Sequence, residues 1–64
     1  MKLIRLPDVL TMTGRGRSSI YDMIARGEFP RPVNIGPAAV AWVESEVVAW
    51  IEDRIAERDR TVAA

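Results

Sequence analysis

Two short helices broken at glycine, a proline-led β-hairpin and one longer amphipathic helix are what this sequence predicts: a mainly α fold with a small β-hairpin. Three observations carry that expectation. A glycine break is followed by a short helix-period segment in T-G-R-G-R-S-S-I-Y-D-M-I-A-R-G-E-F-P, residues 13–30. Two β-branched runs, residues 33–35 and 39–43, flank Gly36-Pro37. Apolar residues then recur at helical spacing after Ser45, at Val47, Val48, Trp50, Ile51 and Ile55. Two helices joined through a glycine turn, with a hairpin beside them, make a winged helix-turn-helix of three helices plus wing.

Each element has its own local reason. Leu3, Ile4 and Leu6 form a short apolar entry. Pro7 suits a first helical turn, and Asp8 sits at the positive end of the helix dipole, so the first helix is expected over residues 7–12 with Val9 and Leu10 inward. Thr13-Gly14 ends it, because glycine tolerates the left-handed backbone that closes a helix. The second helix is expected from Arg17, capped by Gly16 or Ser18, to the stop at Gly27. Ile20, Met23 and Ile24 are its core face; Ser18, Ser19, Asp22 and Arg26 point outward.

Residues 29–32, F-P-R-P, cannot be helical, since proline lacks the amide donor and biases its predecessor toward extended geometry. The hairpin follows, turning at Gly36-Pro37. Ser45 is the expected N-cap of the third helix, with Glu46 in its first turn and an end near Asp59. Residues 1–60 then form a single domain, and residues 61–64 a frayed tail.

Composition narrows the function. A single domain of 64 residues buries only about 60% of its unfolded surface, which disfavours a deep catalytic cavity. The chain has no cysteine and no histidine, so it lacks thiolate chemistry, the usual general base and the commonest zinc ligand. No enzyme, metal or cofactor is implied, and stability must come from packing. The longest apolar run, residues 38–43, is far too short to span a bilayer, and no signal-peptide core precedes it. A cytoplasmic location is the expectation.

Net charge is zero, yet it is unevenly distributed. Residues 1–36 carry six basic and three acidic side chains, net +3, and residues 37–64 carry three and six, net −3. A phosphate backbone would attract the first half and repel the second. Double-stranded DNA is therefore the leading partner, reached through Arg15, Arg17, Ser18, Ser19, Tyr21, Asp22, Arg26 and Arg31.

Arg17, at the start of the second helix, can fork onto guanine or hold a phosphate. Ser18 and Ser19 can donate to phosphates or base edges, or serve as caps. Tyr21 can lay its ring on the core and aim its hydroxyl at a phosphate. Asp22 must accept from a cytosine amino group or turn away from phosphate. Arg26 and Arg31 are phosphate candidates or plain solubilising charges. Trp42 and Trp50 fall on apolar stripes and belong to the core rather than to base stacking. Glu44 and Glu46, with no partner base, suit helix-start electrostatics better than acid–base chemistry.

Read in order, R-L-P-D-V-L (residues 5–10), T-G (13–14), R-S-S-I-Y (17–21), G-E-F-P-R-P-V (27–33), A-V-A-W-V-E-S-E-V (39–47) and A-W-I (49–51) resemble the AlpA-like prophage regulators. These lie within the wider MerR-like and excisionase-like winged helix-turn-helix group. The resemblance spans nearly the whole chain. It implies a small DNA-binding transcriptional regulator of bacterial or phage origin, in some members acting on an integrase or excision pathway. Three positions depart from the family pattern: Arg15-Gly16 in the turn, no basic residue at the hairpin tip of residues 36–39, and Asp22 where a base is common.

One short recognition helix reads few base pairs, so a homo-oligomer on DNA is expected, with the third helix as its contact. The alternative class is a protein-interaction module, an adaptor or antitoxin-like partner docking through the acidic, apolar third helix.

Overall fold

The computed structural model describes residues 1–61. Its elements run Leu3–Ile4 (β1), Leu6–Thr13 (α1), Arg17–Ala25 (α2), Val33–Gly36 (β2), Ala39–Val43 (β3) and Glu44–Thr61 (α3). The architecture is mainly α: three helices with a small antiparallel sheet, a winged helix-turn-helix.

Pro7 lies in the first turn of α1 together with Asp8, and the helix has no side-chain cap; the Arg5 carbonyl accepts from the amides of Asp8 and Val9. Leu6 and Thr13 extend the expected helix by one residue at each end. Gly14 closes it at φ 70°, its amide donating to the Leu10 carbonyl at 2.8 Å. Gly16 occupies the N-cap position of α2 in extended conformation, and Ser18 lies inside the helix, so the alternative of a Ser18 cap is not realised. The C-terminus of α2 is a Schellman closure: Gly27 adopts φ 74°, its amide reaches the Ile24 carbonyl and the Glu28 amide reaches that of Met23.

The sheet corrects the expected hairpin in two ways. Its strand order is β1-β3-β2, because the apolar entry pairs antiparallel with β3, Leu3 opposite Val43 and Ile4 opposite Trp42. The turn falls at Pro37-Ala38 rather than Gly36-Pro37. Gly36 pairs with Ala39 after an irregularity beyond the Asn34–Val40 pair, where the Gly36 amide donates to Asn34 Oδ1 at 3.1 Å. Ala38 takes φ 55°, a left-handed conformation that costs a residue with a Cβ about 1–2 kcal/mol.

Ser45 is not the N-cap of α3. The helix leaves β3 directly at Glu44, whose amide donates to the Lys2 carbonyl at 2.8 Å, so pairing of the N-terminal strand supplies the backbone partner that a cap would have supplied. The far end also differs: Arg60 and Thr61 are helical, with Thr61 Oγ1 donating to the Glu57 and Arg58 carbonyls and Arg60 paired with Glu57. The rest of the expected tail, residues 62–64, lies outside the described residues.

Ile4, Val9, Ile20, Met23, Phe29, Trp42 and Val47 form the buried core, with Leu10, Ile24, Trp50 and Ile51 packed against it. Trp42 is fully buried, and its indole N–H donates to the Pro30 carbonyl at 3.1 Å. Trp50 stands at the core's edge. Its ring meets Phe29 edge-on at 5.0 Å, and its N–H donates to the Glu28 carbonyl at 2.8 Å. These two indoles fasten the proline-rich connection to β3 and α3. Val48 and Ile55, on the expected apolar stripe, are 39% and 45% exposed. Val47, Trp50 and Ile51 already fill the side of α3 that meets the core; Val48 lies off that line, and Ile55 borders an open groove with Met12, Thr13 and Arg15.

Candidate nucleic-acid interface

α2 turns Ile20 and Met23 into the core and leaves Arg17, Ser18, Tyr21, Asp22, Ala25 and Arg26 exposed. The amphipathic period thus produces a solvent-facing stripe of Ser18, Tyr21, Asp22 and Ala25, flanked by Arg17 and Arg26. Ala25 was not singled out from sequence, because a lone alanine carries no charge or donor signal.

Six of the eight sequence candidates line three grooves, and Ser18 and Ser19 line none of the three. Arg17 and Tyr21 border a groove of about 350 Å³ with Arg5, Leu6, Pro7, Ala38 and Val40, between the start of α1 and the hairpin turn. Arg5 and Arg17 make no ion pair among the described residues, so two uncompensated guanidinium groups share this groove. Tyr21 presents one ring edge to Trp42 at 6.2 Å, yet stays 40% exposed, and its hydroxyl has no protein partner among the described residues. Arg5 is the cationic group that sequence reading missed. It stands twelve positions from Arg17, and only the packing of α1 against α2 and the sheet brings the two together.

A second groove of about 610 Å³, between α2 and α3, takes Arg15, Asp22 and Arg26 together with Glu28, Asp53 and Arg54. Charges there are matched in number. Arg15 spans the turn, its Nε–H donating to Ser19 Oγ at 2.6 Å, which leaves Ser19 half-buried and already occupied. Arg26 is held by two carboxylates, Asp22 one helical turn back and Glu28 Oε1 at 3.9 Å. Arg31 sits in a third groove, with Glu46 and Asp53 of α3, away from Arg17 and Tyr21.

Free positive charge therefore concentrates at the N-terminal end of α2 and the adjoining start of α1. The face of α3 carrying Glu46, Asp53 and Glu57 is acidic. The hairpin tip, Pro37-Ala38, has no basic side chain.

Residues 2–55 match the family described as Prophage CP4-57 regulatory protein (AlpA). The chain belongs to the AlpA family. It is 48% identical over 59 residues to the uncharacterized protein ORF88 of Enterobacteria phage P4, covering 92% of this chain and 67% of the relative. It is 32% identical over 60 residues to the DNA-binding transcriptional activator AlpA of Escherichia coli (strain K12), covering 84% and 86% of the two chains. The family match spans α1, α2, the sheet and the first two-thirds of α3, and so contains every candidate residue and Arg5. Among the described residues no helix is long and apolar enough to cross a membrane.

Proposed function

We propose that this AlpA-family protein is a sequence-specific, DNA-binding transcriptional regulator that acts by binding alone and lays α2 in the major groove of duplex DNA. The observation that carries the reading is the exposed N-terminal face of α2, bordered by the unpaired Arg5 and Arg17 and backed by a rigid core. The relative named as a DNA-binding transcriptional activator supports it.

In this reading Arg17 and Arg5 grip one phosphate strand, and the Tyr21 hydroxyl donates to the same backbone. Ser18, Asp22 and Ala25 face the base edges: a hydroxyl that suits any base, a carboxylate that suits a cytosine amino group, and a methyl that suits thymine. Arg15 and Ser19 hold the turn in shape, and Arg31 reaches only a more distant phosphate. The uncharged tip keeps the hairpin a structural wing.

Binding as several copies follows from site length, since one short helix reads too few base pairs for useful specificity. The exposed Val48 and Ile55 on α3 form the contact between adjacent copies. Fluorescence anisotropy on duplexes across a salt series tests the whole reading. Affinity should fall log-linearly with salt, and flat or absent binding to every duplex would contradict it.

A further inference from the structure

The C-terminal half of α2 carries a charge arrangement that DNA binding alone does not call for. Arg26 is the basic side chain closest to the end of the exposed stripe, yet its guanidinium lies between Asp22, paired through NH2, and Glu28, whose Oε1 stands 3.9 Å from NH1. Asp53 borders the same groove. Arg15 and Arg54 line it too, so the groove as a whole is balanced, but the three side chains in contact, Asp22, Arg26 and Glu28, sum to one negative charge, and Arg26 is already answered by two carboxylates.

We infer that Asp22 is a specificity-determining residue whose carboxylate holds Arg26 off the DNA backbone. The inference deepens the proposed DNA-binding function and rests on it. Phosphate contacts are sequence-independent and supply essentially all of the affinity for random DNA. Every cation withheld from phosphate lowers binding to the competing genomic sites, while contacts to bases keep their worth at the true site. An exposed ion pair is weak in itself and would open toward a phosphate if its surroundings were neutral. Here the second carboxylate, Glu28, adds to the pull of Asp22 and holds Arg26 back from a phosphate. With α2 in the major groove, the exposed Asp22 would face the base edges, where its oxygens can accept from a cytosine amino group, so the same side chain penalises the backbone contact and rewards one base.

Asp22→Asn, Arg26→Ala and the double variant, measured with the parent protein on a random-sequence duplex between 50 and 200 mM salt, test this directly; thermal melts check that each variant folds. Asp22→Asn should bind more tightly and steepen the salt slope by about 0.9, the value of one added phosphate contact, which amounts to about eight-fold at 0.1 M salt. Adding Arg26→Ala should abolish that gain, and Arg26→Ala alone should leave the parent slope unchanged. A gain that survives loss of Arg26, no gain from Asp22→Asn, or a flattened slope in Arg26→Ala alone would each overturn the proposal while leaving duplex binding intact. Parent protein that fails to bind duplex at any salt would overturn the underlying DNA-binding reading, and this inference with it.

Discussion

Replacing Trp42 with phenylalanine probes how the core holds the binding helix in place. Trp42 is fully buried on β3, opposite Ile4 across the sheet, with an edge contact to Tyr21 and an indole N–H bonded to the Pro30 carbonyl. Phenylalanine keeps a ring but loses the donor and part of the volume. The lost hydrogen bond costs about 1 kcal/mol and the incompletely filled space about another. A chain of 64 residues has roughly 3–10 kcal/mol of stability in all. Trp42→Phe should therefore stay folded with its melting temperature lowered by about 8–16 °C, at about 4–8 °C per kcal/mol for a domain this small. Trp42→Ala, at about 3–5 kcal/mol plus an unpaired carbonyl, should leave little folded protein. Thermal denaturation followed by circular dichroism reads both. An unchanged melting temperature in Trp42→Phe would refute the placement of this ring at the centre of the core.

Further expectations concern the surface. Arg17→Ala should weaken duplex binding without altering the melt: a lost phosphate contact lowers the salt slope by about 1 and a lost base contact costs about 1–3 kcal/mol at one site position, both read by anisotropy. Ala38→Gly should raise stability by about 0.5–1 kcal/mol, because it relieves the left-handed φ of 55° at the hairpin turn for a smaller entropic cost; chemical denaturation measures it. Ile55→Glu should keep the melt within about 0.5 kcal/mol of the parent while reducing cooperative binding to long duplexes, as seen by sedimentation of the complexes.

The helices were legible from local chemistry. Pro7 and Asp8 marked the start of α1, Gly14 and Gly27 its end and that of α2, and the Ile20, Met23 and Ile24 spacing gave the buried face. What escaped was set by contacts distant along the chain. Leu3-Ile4 is too short to announce a strand and becomes one only because β3 offers its free edge. That pairing brings the Lys2 carbonyl to the Glu44 amide, and the cap expected at Ser45 was displaced by a backbone partner 42 positions away. Arg5 entered the candidate site by the same long-range packing. Of the outward set on α2, Ser18, Asp22 and Arg26 are exposed while Ser19 is half-buried and bonded to Arg15, and the sequence could not divide Arg17, with no ion-pair partner, from Arg26, held by two carboxylates. Periodicity put Val48 and Ile55 on the apolar stripe without fixing whether the core would cover them; Val47, Trp50 and Ile51 take the core-facing side and leave both exposed.

DNA lying against the N-terminal half of α2 and the start of α1 would be seen in a titration of isotope-labelled protein with a short duplex, followed by nuclear magnetic resonance. On a duplex that holds one copy, the amide signals of residues 5, 6, 8 and 15–22 should shift progressively at low salt and return as salt is raised, while those of residues 46–61 on α3 stay in place. The largest shifts on α3, with residues 15–22 unmoved, would contradict the account.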